Sequence, residues 1–304
     1  MQRSVGFMGL GLMGGPMASR LVEAGWGVAG WNRSRPALDS LEAAGGRAVA
    51  ETADLASLPV LAVMLPDLPQ IEAAFEPIFA RWALEAPQQG TLVVVFSSVS
   101  PVDVRAFGER VAQASRGAAS VVDAPVSGGQ RGAIRGTLSI MVGAEPAQAE
   151  ALAGLFAPLA STVVRLGPRG SGSLAKACNQ LVVGATAAAL AEAAVLAETA
   201  GLDVGQLFAV LGGGLAGSRV LDQLGPRIVA RDYTVTGPAR FMAKDLRFVE
   251  AAAHDGGARL PLAAAALDIY TRLNEAGLGG EDLAVVHEYT RRASGMTDRE
   301  TATP

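Results

Sequence analysis

The chain of 304 residues is long enough for two domains, each with its own hydrophobic core. A formal net charge of −4 gives no excess of basic residues that would indicate nucleic-acid binding, and 50% hydrophobic residues argue against general disorder. Cys178 is the single cysteine, which excludes an intrachain disulfide and a cysteine zinc cluster. A reducing cytoplasm is therefore the expected location.

The amino terminus is predicted to form a strand, a glycine turn and a helix. The apolar segment Ser4–Phe7 leads into three glycines, and a helical pattern follows from Pro16. In a dinucleotide-binding turn the first glycine allows the tight turn, the second lets the backbone approach a pyrophosphate, and the third lets helix and strand pack closely. An ordinary tight turn is the alternative. We predict cofactor contacts at Gly9, Leu10, Gly11, Leu12, Met13 and Gly14.

Apolar segments rich in β-formers then alternate with helical stretches, which indicates a parallel sheet covered by helices. The predicted strands are Val5–Met8, Val28–Trp31, Val60–Leu65, Leu92–Phe96, Val121–Val122, Leu138–Val142 and Val163–Leu166. Beyond the glycine- and serine-rich stretch 167–173 the patterns are alanine-rich and helical. The prediction is an α/β Rossmann-type N-terminal domain over 1–167, an all-α substrate and oligomerisation domain over 168–295, and a polar tail over 296–304.

A long helix over Leu174–Ala200 is predicted to join the two domains and to be buried nearly all round, because few polar residues interrupt it. Together with the alanine-rich region Ala251–Leu273 it carries more apolar surface than one small domain covers, which predicts a homodimer or homotetramer. The longest apolar run, Leu181–Ala191, is shorter than the roughly 20 residues that cross a bilayer, so no membrane span is expected.

The segment after the second strand bears on the choice of cofactor. A NAD site places an acid about 20 residues past the glycines, yet no acid stands between Glu23 and Asp39. Arg33 and Arg35 occupy that place, and a guanidinium matches a 2′-phosphate. The sequence predicts NADP(H), with NAD(H) as a second cofactor, and contacts at Asn32, Arg33 and Ser34. Two solvated arginines at a helix start are the alternative.

A polar face interrupts the start of the long helix. Lys176, Asn179 and Gln180 stand at i, i+3 and i+4 and therefore share one side of it. Burying these groups without partners is costly, so the face calls for a ligand. A lysine in a partly desolvated cleft can protonate a carbonyl oxygen as hydride arrives. Lys176 is thus the predicted catalytic residue; a lysine extending its ammonium into solvent from a helix end is the alternative.

A second candidate is the segment Asp123–Gly129, at the carboxyl end of a strand, where open α/β sheets place ligands. Ser127, Gly128 and Gly129 offer clustered N–H groups and a hydroxyl that suit a carboxylate. A plain turn is the alternative.

Other catalytic arrangements are missing. The two histidines, His254 and His287, stand outside any glycine-rich or acidic constellation and are expected to be surface or packing residues. With one cysteine besides, no metal site is predicted and a zinc-dependent alcohol dehydrogenase is excluded. The Tyr-x-x-x-Lys dyad and the G-x-S-x-G elbow are both absent.

Four motifs follow one another in order: GFMGLGLMGGPMA, DAPVSGGQRGAIRGTLSIMVGA, GSGSLAKACNQ and FMAKDL. From Val5 to about Arg292 the chain resembles the β-hydroxyacid dehydrogenase family, which includes 3-hydroxyisobutyrate dehydrogenase, tartronate semialdehyde reductase and glyoxylate/succinic semialdehyde reductase. The resemblance implies a catalytic role for Lys176. It further implies substrate contacts at Ser127, Gly128, Gly129, Asn179 and Gln180, cofactor contacts at Leu65, Pro66, Ser98, Phe241 and Lys244, and closure of the cleft by Lys244 with Asp245.

Two positions depart from the family pattern. Val95 stands where the family commonly has aspartate, and Gln180 where it often has asparagine. Gln180 and the segment Gly212–Leu221 resemble the tartronate semialdehyde reductase branch. The expected function is NADPH-dependent reduction of short carboxylate-bearing aldehydes, tartronate semialdehyde first, to 2- or 3-hydroxy acids, with the reverse dehydrogenase reaction. The alternatives are an imine reductase-like enzyme, a group that replaces the lysine kept here as Lys176, and a non-catalytic NADP-binding sensor.

Overall fold

The computed structural model describes residues 3–296, and the chain divides into two compact units after Lys176. The first unit is built on one sheet. Seven of its strands correspond to the predicted ones, while the strands Arg47–Ala48 and Val126–Ser127 are too short to carry a pattern. The strands are β1 (Ser4–Met8), β2 (Gly27–Trp31), β3 (Arg47–Ala48), β4 (Val60–Val63), β5 (Thr91–Val95), β6 (Ala119–Asp123), β7 (Val126–Ser127), β8 (Leu138–Gly143) and β9 (Ala160–Gly167).

The strand order is β3-β2-β1-β4-β5-β6-β8-β7, with β9 beside β8. All pairs up to β6 are parallel, which brings the carboxyl ends of β1, β2, β4, β5 and β6 to one edge. The predicted parallel arrangement ends there, because β8 runs antiparallel to β6 and β7. After Asp123 the chain turns back through β7 and one short helix, without the full crossover that a parallel neighbour needs.

Helices cover both faces of this sheet and create two cores. Phe7 of β1 points into one core with Leu21 and Phe156, and its neighbour Met8 points into the other with Phe75. Side chains alternate along a strand, so buried residues on both faces mean a doubly covered sheet. The helices are α1 (Gly14–Glu23), α2 (Arg35–Ala43), α3 (Leu68–Leu84), α4 (Pro101–Ala114), α5 (Gly129–Arg135) and α6 (Pro146–Phe156).

The second unit is helical: between residues 168 and 296 the structure contains helices and one isolated β-bridge but no strand. The predicted all-α domain is confirmed. Alanines of its long first helix, such as Ala187 and Ala191, pack with Met242, Leu246 and Tyr270 in its core. Its helices are α7 (Ser171–Thr199), α8 (Val204–Gly212), α9 (Arg219–Ala230), α10 (Arg240–Asp255), α11 (Pro261–Glu275) and α12 (Val286–Ala293).

Within this single chain the long helix α7 is buried on one side only, so the expected burial nearly all round would also need the predicted subunit contact. Leu174, Val182 and Leu196 are 46%, 64% and 71% exposed, whereas Ala187 and Ala191 are fully buried. Of the described helices, α7 alone is long and apolar enough to cross a membrane by those two criteria. Its alanine-rich side packs in the core of the second unit, and a core helix meets the same two criteria.

The compact units divide between Lys176 and Ala177, nine residues after the predicted boundary at 167/168. The first turns of α7 belong to the first unit because Gly170 and Ser173 donate backbone N–H bonds to Asp123 at the end of β6. Of the predicted tail, residues 297–304 lie outside the described part of the chain.

Candidate functional site

The glycine turn after β1 has the geometry that its residues predict. Gly9 has a φ of +93°, a region that side chains rarely adopt, and a Cβ there would overlap the carbonyl oxygen of Met64. A Cβ on Gly14 would overlap the carbonyl oxygen of Gly9. Both glycines are therefore required by the protein's own packing.

Gly11 differs, because a Cβ at this position would meet no atom within 4 Å. Nothing inside the described chain explains a glycine here, whereas a backbone that must approach a pyrophosphate does. The start of α1 also suits an anion, since no side chain caps it and its first turn contains no acid. The open backbone at Gly11 and the uncapped start of α1 fit the phosphates of a dinucleotide. A cleft of about 440 Å³ adjoins the turn but runs along α1 to Glu23, and its lining contains none of the predicted contacts at residues 32–34, 65 and 66.

Asn32 holds the turn from the end of β2. Its Oδ1 accepts the N–H of Leu10 at 3.0 Å, and its Nδ2 donates to the hydroxyl of Ser34 at 2.8 Å. The structure thus brings the predicted residues Asn32 and Ser34 to the glycine turn. Part of their hydrogen-bonding capacity is used to shape that turn.

The two arginines after β2 differ in their partners. Arg35 lies 2.6 Å from both Asp39 and Glu42 along α2, and these bonds raise its pKa further above the usual value. Arg33 is exposed and forms no ion pair with another described residue. Of the two guanidinium groups predicted to meet a 2′-phosphate, that of Arg33 is the available one.

Leu65 and Pro66 follow β4 at the same edge of the sheet. The N–H of Leu65 donates to the hydroxyl of Ser97 at 2.8 Å, and Ser97 is buried beside the predicted residue Ser98. Ser97 therefore fixes the backbone that carries the Leu65–Pro66 pair. No local pattern marks this serine, because its partner lies 32 residues away.

The predicted carboxylate loop lies at the end of β6. Ser127 ends the short strand β7, and Gly128 and Gly129 follow with φ values of +126° and +61°. A Cβ on Gly129 would meet no atom within 4 Å. The two positive φ values require glycine, and the loop leaves open space beside Gly129.

In the second unit a chain of hydrogen bonds connects the predicted amides. Asn179 Nδ2 donates to Gln180 Oε1 at 2.9 Å, and Gln180 Nε2 donates to Asp245 Oδ2 at 2.7 Å. Lys244 Nζ lies 3.3 Å from Asp245 Oδ1 and 5.9 Å from the ring centre of Phe241. Asp245, which is 4% exposed, thus orients the predicted residues of both α7 and α10.

The two histidines occupy different surroundings. His254 is exposed, as expected. His287 is buried, with Nε2 3.3 Å from Glu198 and Nδ1 3.2 Å from the hydroxyl of Tyr233. His287 is therefore a packing residue, one of the two settings expected for it, and its contact with Glu198 joins residues that lie far apart in the sequence. Within residues 3–296 no group of three or more histidine, cysteine, aspartate or glutamate side chains forms a metal site.

Comparison with known proteins agrees with this geometry. Residues 4–167 match the family model described as the NAD-binding domain of 6-phosphogluconate dehydrogenase. Residues 170–289 match the model described as NAD-binding of NADP-dependent 3-hydroxyisobutyrate dehydrogenase. The chain belongs to the β-hydroxyacid dehydrogenase family.

Individual members of the β-hydroxyacid dehydrogenase family align along almost the whole chain. The 2-hydroxy-3-oxopropionate reductase of Escherichia coli is 33% identical, covering 92% of this chain and 93% of its own. The NAD-dependent L-serine dehydrogenase of Pseudomonas aeruginosa is 32% identical, covering 94% and 97%. The solved 3-hydroxyisobutyrate dehydrogenase of Mycobacterium tuberculosis with L-serine has a TM-score of 0.82 at 30% identity, covering 96% and 100%. The protein is therefore an NAD(P)-dependent dehydrogenase acting on CH–OH groups of hydroxyacids.

Proposed function

We propose that this β-hydroxyacid dehydrogenase is an NADPH-dependent reductase of short aldehydes that carry a carboxylate, reversible as a hydroxyacid dehydrogenase. One observation carries the proposal: of the 25 lysines and arginines in the sequence, only Lys176 and Lys244 are lysines. Both stand at positions that the family resemblance assigns to the site. Arginine supplies positive charge elsewhere, but its guanidinium keeps its proton in proteins, whereas lysine can give one up.

Lys176 is the proposed proton donor. A bound NADPH would supply hydride from its nicotinamide. The ammonium of Lys176 delivers a proton to the carbonyl oxygen and stabilises the charge that develops there. In the dehydrogenase direction the neutral amine accepts the hydroxyl proton. Asn179, one turn further along α7, is held by Gln180 and orients the substrate.

The substrate carboxylate is assigned to the loop Ser127–Gly129, whose backbone N–H groups and hydroxyl suit an anion. Fixing the carboxylate leaves the carbonyl end of a short acid to meet the lysine. Tartronate semialdehyde ranks first among the substrates. The supports are the Gly212–Leu221 segment, Gln180, and the similarity to a reductase named for 2-hydroxy-3-oxopropionate, which is tartronate semialdehyde.

Preference for NADPH over NADH is also proposed, and Arg33 supports it. Its guanidinium has no acidic partner among the described residues, and the acid expected of a NAD site is absent from the segment between Glu23 and Asp39. A charge-assisted bond of about 1.5–3 kcal/mol corresponds to a preference of roughly 10–150-fold.

A homodimer or homotetramer, in the cytoplasm, completes the proposal. The second unit leaves several large apolar side chains exposed, among them Val182, Leu196 and Val210 at 64%, 71% and 75%. Surface of this kind is what a subunit contact covers. Light scattering at micromolar concentration should give at least twice the mass of 30.9 kDa, and a monomer would contradict the proposal.

The test is a substrate panel with variants of Lys176. NADPH oxidation is followed with tartronate, succinic and methylmalonate semialdehydes, glyoxylate, an uncharged aldehyde and a cyclic imine. Loss of the carboxylate should lower kcat/KM at least about tenfold. Lys176→Ala should lower kcat about 10²–10⁴-fold with little change in NADPH affinity, and Lys176→Arg, which keeps the charge, should remain impaired.

Three results would overturn the proposal. Equal turnover of the neutral aldehyde or the imine would favour an imine reductase-like activity. No turnover of any substrate, with NADPH still bound, would favour the sensor. Wild-type kcat in Lys176→Ala would remove this residue from the proton transfer.

A further inference from the structure

The carboxylate of Asp123 is fully buried at the carboxyl end of β6, and it touches the beginning of α7. Its Oδ1 accepts the N–H of Gly170 at 2.7 Å, and its Oδ2 accepts the N–H of Ser173 at 2.7 Å. Both oxygens accept backbone N–H groups, and hydrogen bonds of this kind favour the ionised carboxylate.

Burial raises the pKa of Asp123, and the backbone N–H groups of Gly170 and Ser173 act in the opposite direction. A negative charge is favourable at the amino-terminal end of a helix, where the peptide dipoles leave partial positive charge. Short charge-assisted bonds of this kind are stronger than neutral ones. Asp123 thus ties the start of α7 to the sheet by charge as well as by geometry.

The backbone around this carboxylate is packed so closely that two neighbouring glycines have no room for a Cβ. A Cβ on Gly172 would overlap the carbonyl oxygen of Met141 and come within 2.8 Å of the Asp123 carbonyl oxygen. A Cβ on Gly143 would overlap the Asp123 carboxylate itself. The first turn of α7 therefore lies directly against β6 and β8, with backbone touching backbone.

Lys176 stands three residues after Ser173 on the same helix, so the two residues share one face about 4.5 Å apart along the axis. A rigid α-helix transmits any shift of Ser173 to Lys176. We propose that Asp123 is a positioning residue for Lys176: by binding the N–H groups of Gly170 and Ser173 it sets where the lysine presents its ammonium. This inference rests on the proposed role of Lys176 in proton transfer.

The conservative substitutions separate charge from shape. In Asp123→Asn one amide oxygen still accepts an N–H, but the NH₂ group faces the other N–H as a second donor, so one bond is lost together with the charge. In Gly172→Ala the charge stays and the added methyl pushes the start of α7 away from Met141. Asp203→Asn is the matched control, because Asp203 caps α8 through the N–H of Gln206.

The two-lysine composition permits a readout that does not depend on turnover. Lysines dimethylated with ¹³C-formaldehyde and cyanoborohydride keep their charge and titrate in NMR spectra. Lys244→Arg leaves two signals, from Lys176 and from the terminal amine; a terminal amine ordinarily titrates at about pH 8, and lysine more than two pH units higher, which assigns the Lys176 signal. In Asp123→Asn this signal should titrate at lower pH than in the unsubstituted protein, because a negative charge near the start of α7 favours the protonated amine. The titration in Asp203→Asn should not move.

The kinetic expectation follows from displacement of the lysine. Asp123→Asn and Gly172→Ala should each lower kcat about 10–100-fold, as small misplacements of a catalytic group do, with NADPH affinity within about twofold. The alkaline limb of the kcat profile should shift to lower pH in Asp123→Asn alone. Amide hydrogen exchange at Ser173 should accelerate in both variants.

An Asp123→Asn protein with unchanged kcat and an unmoved Lys176 titration would overturn the inference. So would an equal loss of kcat and NADPH affinity, which would point to general loosening of the first unit. The proposed function fails separately, if Lys176→Ala turns over normally. The Lys176 titration and the Ser173 exchange would still report in that case whether Asp123 positions the helix.

Discussion

The sharpest prediction compares two glycines of the same turn, Gly11 and Gly14. In Gly14→Ala the new methyl overlaps the carbonyl oxygen of Gly9 and lies 3.1 Å from the Phe7 ring, so α1 must move away from β1. Overpacking of this kind costs about 1–3 kcal/mol. For a protein of this size we expect the melting temperature without cofactor to fall by roughly 3–10 °C.

Gly11→Ala should behave in the opposite way. Its methyl meets no atom within 4 Å, and Gly11 is not among the glycines with positive φ, so the apo protein tolerates it. Replacing glycine by alanine in a compatible conformation stabilises by about 0.4–1 kcal/mol. The same methyl fills the space through which the backbone approaches a pyrophosphate, and losing one charge-assisted bond weakens NADPH binding about 10–150-fold.

Two assays decide between these expectations: thermal melting of the apo protein and NADPH titration followed by its fluorescence. Gly280→Ala is the control, because Gly280 also has open space around its missing Cβ and an ordinary φ, but lies in the second unit. It should raise the melting temperature as slightly as Gly11→Ala does and leave NADPH affinity unchanged. The reasoning is refuted if Gly11→Ala binds NADPH as tightly as the unsubstituted protein, or if it melts as low as Gly14→Ala.

The remaining predictions concern the two arginines after β2, the buried His287, and the hydrogen bonds of Gln180. Arg33→Ala should reduce the NADPH-to-NADH ratio of kcat/KM about tenfold or more, whereas Arg35→Ala, already paired within α2, should change it less than about threefold; the reverse ranking contradicts this. Burial lowers the pKa of His287, so below pH about 6.5 the unfolded chain binds a proton at this residue that the folded chain does not. The free energy of unfolding should therefore fall by up to about 1.4 kcal/mol for each unit by which the pH is lowered. Melts between pH 5.5 and 7.5 check this, and an equally steep fall in His287→Gln would oppose it. Gln180→Leu removes the donor to Asp245 and should cost about 1.5–3 kcal/mol and raise the substrate KM; unchanged melting and KM would count against the network.

Local spacing made the main elements readable from the sequence alone. The spacing of apolar residues identified seven strands and the helical second unit, because buried side chains recur at a regular interval along each strand or helix. The glycine turn was readable because the required backbone conformations lie within six residues. Lys176, Asn179 and Gln180 could be placed on one face because helix geometry relates neighbours three and four apart.

Only the tertiary structure decided the contacts whose two partners lie far apart in the chain. Asp123 meets Gly170 and Ser173 across 47 and 50 residues, and Ser97 meets Leu65 across 32. The antiparallel pairing of β8 depends on how the chain turns back after Asp123, and the spacing of apolar residues does not predict that turn. Such contacts join single groups without a repeat, so only the folded backbone shows which donor reaches which acceptor.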